Sequence, residues 1–119
     1  MSNMTVLYGI KNCDSVKSAR SWLEANSIVH HFHDFKLDGL SKDKLQAWLD
    51  EVGPEVLVNK RSTTWKQLSS KDQDMAMGKI ASAVILANPT LIKRPVLECG
   101  GHVYVGFRQE EYESLFEKS

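Results

Sequence analysis

Apolar and polar positions alternate along this chain in two different rhythms, and the switches between them mark out the elements. Thr5 to Ile10 (TVLYGI) is a short β-branched and aromatic run and reads as a strand. It stops at Lys11-Asn12-Cys13-Asp14-Ser15, a cluster of turn and N-cap residue types. From there to about Ala25, Val16, Ala19, Trp22 and Leu23 fall at helical spacing, with Lys17, Ser18 and Ser21 on the other face. Asn26-Ser27 breaks this helix, and Ile28 to Phe35 alternates loosely as a second strand. The first unit is therefore β-α-β, with Cys13 in its first βα turn.

The middle of the chain is helical. Leu37-Asp38-Gly39-Leu40 reads as a turn, and Ser41 as the N-cap of a helix over Lys42 to Val52, with Leu45, Trp48, Leu49 and Val52 on one stripe and Gly53 closing it. A polar turn, Lys60 to Thr63, leads into Trp65 and Leu68. Asp72 to Ala87 is the most periodic stretch and is expected as one helix ended by Asn88-Pro89. Period two returns after Pro95: Val96 to Cys99, Gly100-Gly101 and His102 to Gly106 read as a hairpin with a two-residue loop. Gln109 to Phe116 is a last helix with Tyr112, Leu115 and Phe116 inward. The order β-α-β, helical block, β-β-α predicts an α/β fold with one four-stranded mixed sheet. The helical block is expected as a lobe inserted between the two halves.

Composition narrows the function classes. A chain of 119 residues is about one domain. Fifteen Lys+Arg against fifteen Asp+Glu give zero formal net charge, which removes the broad basic field of a nucleic-acid binder. The longest apolar run, Ile80 to Ala87, is too short for a membrane span, and the first residues lack the pattern of a signal peptide. Cys13 and Cys99 have no disulfide-framework spacing, so a cytoplasmic protein with reduced thiols is expected. Of the histidines in His30-His31-Phe32-His33, only His31 and His33 would share a strand face. Two ligands do not make a metal site, so no metal is expected.

Cys13 is the candidate reactive centre. A thiol at the start of a helix meets free N–H groups and the positive end of the dipole, both of which favour the nucleophilic thiolate. Lys11 adds a nearby cation, while Asp14 is an adjacent anion working in the opposite sense. Spacing removes two reactions. The residue three beyond Cys13 is Val16, so no C-x-x-C exists, and the arginine position of a cysteine-phosphatase loop is occupied by Ala19. Monothiol chemistry remains, in which the thiolate attacks and an external thiol resolves the product. Cys99, at the end of a strand, reads as a packed thiol.

Three motifs stand in order: G-I-K-N-C-D-S ending the first strand, I-K-R-P-V before the hairpin, and G-F-R-Q-E-E before the last helix. Together they resemble the ArsC-like family, which comprises glutaredoxin-coupled arsenate reductases, Spx-type regulators and the YffB proteins. The likeness runs from about Thr5 to Phe116, and N-K-R-S-T-T-W at Asn59 to Trp65 looks most like the YffB group.

The resemblance implies one thioredoxin-like domain over residues 1–119, made of about 1–37 and 89–119, with the helical insertion at about 38–88. It implies Cys13 as nucleophile, Arg94 and Arg108 as anion-binding arginines, and Pro95 as the cis-proline beside which a peptide or glutathione pairs. Lys11 and Asn12, flanking the cysteine, join the substrate-binding set. Two departures shift the expected chemistry. The family's third arginine falls at Asn59, with Arg61 two positions on as its candidate replacement, and the C-x-x-C switch of Spx-type regulators is missing. Loss of one bidentate guanidinium weakens an oxyanion site. The expectation is a monomeric, glutathione-dependent thiol reductase with no bound cofactor. It would act on glutathione or glutathionylated substrates, with glutaredoxin as a further partner and no direct contact with nucleic acid or membrane. Arsenate reduction and Spx-like regulation are the alternatives.

Overall fold

A computed structural model describes residues 4–116 of the chain. Two compact units emerge, one from residues 4–38 with 94–116 and the other from residues 39–93. The first holds a four-stranded sheet in the order β2-β1-β3-β4, with β1 at Val6–Gly9, β2 at His31–Asp34, β3 at Val96–Cys99 and β4 at His102–Val105. β1 pairs parallel to β2 and antiparallel to β3, and β3 pairs antiparallel to β4. The expected mixed sheet is thus present, and with it the thioredoxin-like class.

The register explains the core. Leu7 lies opposite both Phe32 and Leu97, and Leu97 lies opposite Tyr104, so these four side chains form one row across the sheet. That row packs on helix α1 (Asp14–Ala25), which buries Val16, Ala19 and Leu23, and on helix α8 (Gln109–Leu115), which buries Tyr112. Full burial of each aliphatic side chain contributes about 1.5–3 kcal/mol. On the opposite face the Tyr8 ring meets His33 at 4.8 Å in a tilted contact, and its hydroxyl donates a hydrogen bond to Glu98 Oε1 at 2.7 Å. The hairpin is built as its sequence demands. Cys99 pairs with His102 around Gly100 and Gly101, whose φ values of 60° and 80° suit the two-residue turn that glycine favours.

The second strand is shorter than the expected Ile28 to Phe35. The Ile28 N–H is bonded to Leu23 O as part of the exit from α1, and pairing begins only at His31. Nor is Leu37 to Leu40 a simple turn: Phe35–Asp38 forms a short helix, α2, because Asp34 Oδ1 accepts from the Lys36 N–H as an N-cap would.

The second unit is helical. Its elements are α3 (Lys42–Val52), α4 (Pro54–Leu57), α5 (Thr63–Gln67), α6 (Ser70–Ala76), α7 (Ala81–Ala87) and a 3-10 turn at Pro89–Leu91. Ser41, Ser62 and Ser69 each accept a first-turn N–H, capping α3, α5 and α6. Leu45, Trp48, Leu57, Ile85, Leu91 and Ile92 are fully or nearly fully buried. The single helix expected over Asp72 to Ala87 is two helices, broken at Met77–Ile80. Gly78 is a poor helix former, and its N–H closes α6 on Met75 O. The break also has a packing cause. In a continuous helix Ala76 and Ala81 would point about 140° apart, whereas both are buried here.

Candidate functional site

Strand direction gathers the sequence-predicted residues of the first unit. β1 and β4 run the same way and β3 runs against them, so the ends of β1 and β4 and the start of β3 lie at one edge of the sheet. Cys13 follows β1, the Arg94–Pro95 pair precedes β3, and Arg108 follows β4. The register ties the three approaches together: Tyr8 is opposite Val96, Val96 is opposite Val105, and the Gly106 N–H donates to Pro95 O at 2.8 Å. The Arg94–Pro95 peptide bond is cis, as the resemblance led us to expect.

Cys13 is the N-cap residue of α1. Its backbone is extended, with φ −117° and ψ 125°, and its carbonyl accepts the first helical hydrogen bond, from the Lys17 N–H at 2.9 Å. No side-chain cap is formed. The sulfur is attached where a serine or aspartate oxygen would accept first-turn N–H groups. Cys13 is half-buried, whereas Lys11 and Asn12 in the preceding turn are exposed. Asp14, the first helical residue, is also exposed and sits where the helix dipole favours a carboxylate.

The two arginines differ. Arg94 is half-buried, and its Nε is buried without a hydrogen-bond partner. Arg108 is the N-cap residue of α8 and lies 3.7 Å from Glu111, with its side chain 77% exposed. An ion pair that open constrains Arg108 little. Arg61 belongs to the helical unit, where its backbone N–H donates to Asn59 Oδ1 at 3.0 Å and its side chain is exposed.

Cys99 occupies the other end of the sheet. It lies beyond Glu98, which pairs with Val6 at the start of β1, while Cys13 lies beyond Gly9 at its end. The three steps from Val6 to Gly9 alone span roughly 10 Å, whereas a disulfide needs Cα atoms within ~7 Å. Both cysteines are free thiols, and Cys99 packs against the core. Among the described residues no group of three or more metal-ligating side chains occurs, and no helix is long and apolar enough to cross a membrane.

Sequence reasoning does not single out Gly9. A Cβ added there would stand 2.6 Å from Val16 Cγ2, so the glycine lets the first turn of α1 lie directly on β1. A glycine at a strand end has many uses, and only the tertiary contact distinguishes this one.

Comparison with known proteins agrees with this architecture. An uncharacterised protein of Haemophilus influenzae is 43% identical over 113 residues, covering 95% of this chain and 99% of its own. A global transcriptional regulator Spx of Lactiplantibacillus plantarum is 27% identical over 110 residues, covering 91% of this chain and 83% of its own. Among solved structures, a YFFB protein superposes with a TM-score of 0.85 at 39% identity, covering 94% of this chain and 98% of that one. The ArsC family model matches residues 8–115, from β1 to the last turn of α8, and the chain belongs to the ArsC family.

Proposed function

We propose that this protein is a glutathione-dependent thiol reductase that works through Cys13 alone. In the first step the Cys13 thiolate attacks the glutathionyl sulfur of a mixed disulfide. The Cys13–glutathione disulfide forms as the substrate sulfur leaves with the bonding pair and takes up a proton. A second glutathione thiolate then attacks that disulfide, releasing oxidised glutathione and restoring the Cys13 thiolate. The sum consumes one free glutathione: it leaves joined to the glutathionyl group of the substrate as oxidised glutathione, and the substrate is reduced to its thiol.

The observation behind this reading is the placement of Cys13 and Cys99 at opposite ends of the sheet, which leaves resolution to a thiol from outside the chain. Arg94 and Arg108 at the Cys13 end, with Lys11 in the adjacent turn, supply cations suited to the carboxylates of glutathione. Asn12 and the Arg94 backbone, on the N-terminal side of the cis bond to Pro95, offer hydrogen bonds to its peptide groups. Glutaredoxin could replace the second glutathione as the resolving thiol.

The test is turnover of the mixed disulfide of glutathione and mercaptoethanol. Cys99→Ser is expected to retain activity and Cys13→Ser to lose it by at least about a hundredfold, the scale of removing a covalent nucleophile. Full activity in Cys13→Ser, or its loss in Cys99→Ser, would overturn the proposal. The likeness to a global transcriptional regulator favours a second reading, regulation of transcription. Retention of polymerase subunits by the immobilised protein, together with no turnover, would select it.

A further inference from the structure

The outer face of α1 forms one wall of a groove of about 560 Å³, and Phe107 and Gln109, on either side of Arg108, form the other. Its aromatic residues are Trp22 and Phe107. Each meets the fully buried Tyr112 ring edge-on, Trp22 at 5.7 Å and 85° and Phe107 at 4.7 Å and 89°. The core therefore holds both walls in place before anything binds. Around them stand Lys17, Ser18 and Ser21, with Ala25 at the far end. The Gln109 amide nitrogen is committed to Glu113 Oε2 at 3.0 Å, which leaves its amide oxygen as an acceptor. Lys17 is the charged residue of the lining, and no lining residue is acidic.

Helix α1 relates the groove to Cys13. Lys17 lies one helical turn beyond Cys13 on the same face. At 1.5 Å per residue, Lys17, Ser21 and Ala25 stand about 6, 12 and 18 Å along the helix from the cysteine. An extended peptide covers that span in roughly five or six residues. A small disulfide would leave the whole groove unused. Rigid aromatic walls beside hydrogen-bonding side chains are the surfaces at which a few side chains dominate peptide affinity.

We infer that this groove seats the polypeptide flanking a glutathionylated cysteine, and that the substrate class is an extended protein segment carrying a bulky apolar residue and an acidic residue within about five positions of that cysteine. The inference rests on the reductase reading above. The segment is the leaving side of the first step: the Cys13–glutathione bond forms, the substrate disulfide breaks, and the peptide thiolate departs from the groove and is protonated.

The experiment compares two glutathionylated hexapeptides, one with Trp and Glu beside the cysteine and one with Ala at both places. The ratio of their kcat/KM values is expected to be about ten in the native protein, equivalent to ~1.4 kcal/mol, and near one in Ser21→Glu, which fills the groove and repels the acidic residue. In parallel, a Ser-for-Cys version of the Trp–Glu peptide is titrated into the ¹⁵N-labelled native protein. Shifts are expected at the amides of Ser18, Ser21, Ala25, Phe107 and Gln109. Equal rates for the two peptides, or a ratio unchanged in Ser21→Glu, would overturn the inference, as would a titration that moves none of those amides. If no mixed disulfide is turned over, the reductase reading fails, and the titration still decides whether the groove binds peptide.

Discussion

Substituting Gly9 with alanine tests whether the contact between β1 and the first turn of α1 positions Cys13. The new Cβ would lie 2.6 Å from Val16 Cγ2 and 3.3 Å from Cγ1, whereas carbon atoms rest at about 3.5–4.0 Å. Roughly 1 Å must open. Val16 is fully buried and β-branched, so its side chain is held to essentially one rotamer in the helix and cannot swing aside. Gly9 does not have a positive φ, so the cost is steric rather than conformational.

Overpacking of this kind costs about 1–3 kcal/mol, or a fall in Tm of roughly 5–15 °C for a chain of this size. If α1 shifts to relieve the clash, Cys13 moves with it. A displacement of ~1 Å at a reacting group can cost about a hundredfold in rate. The assays are thermal unfolding by circular dichroism and the rate of Cys13 alkylation, the second needing no assumption about substrate. Val16→Ala alone removes about two buried carbons and costs roughly 1.6 kcal/mol. The Gly9→Ala/Val16→Ala double variant is expected to be at least ~1 kcal/mol more stable than the sum of the single effects. Additivity within ~0.5 kcal/mol, or an unchanged Tm in Gly9→Ala, would refute the argument.

Two further predictions concern the buried phenols. The Tyr112 hydroxyl is buried without a hydrogen-bond partner, so Tyr112→Phe is expected to hold stability or raise it by up to about 1 kcal/mol, whereas Tyr8→Phe breaks the bond to Glu98 and should cost about 1–2 kcal/mol. Urea midpoints at unchanged m-value read this difference, and an equal loss in both variants would contradict it. Burial lifts both phenols above the ordinary tyrosine range, reinforced at Tyr8 by the hydrogen bond and charge of Glu98 and at Tyr112 by the charge of Glu111. The folded state keeps protons that the unfolded chain releases near pH 10, so this stability is full below about pH 10 and declines as pH rises further. Unfolding midpoints measured across that range should fall, and fall less steeply in the Tyr8→Phe/Tyr112→Phe variant.

Local chemistry was legible in the sequence wherever a few adjacent residues decide the backbone. The Gly100-Gly101 hairpin, the Ser41 cap and the Cys13 position at the head of α1 are all of this kind. The start of pairing at His31 was not, because Ile28 has the apolar character of a strand residue while its N–H is already committed to α1. The break at Gly78 was hidden by periodicity on both sides of it, and only the joint burial of Ala76 and Ala81 gives the reason. Motifs named Cys13, Arg94, Pro95 and Arg108 one at a time. Their assembly at one sheet edge follows from the directions of β1, β3 and β4, which no single motif contains. The groove beside α1 was likewise invisible, since Trp22 and Phe107 are distant in sequence and meet only around Tyr112.

The position of β1 in the strand order has a consequence for synthesis. Its first neighbour, β2, begins 25 residues after β1 does, but its second, β3, begins 90 residues after, beyond the whole helical unit. As the chain leaves the ribosome, the β-α-β segment forms early and then waits with one side of β1 unpaired. During that interval it is an open strand edge, the kind of template on which chains join one another. The helical unit, with its own buried core and serine caps, can fold in the meantime and shorten the distance to be closed. A nascent chain stalled before Val96 would therefore be far more prone to aggregate than the finished protein, and the last two strands act as the cover that makes the central strand safe.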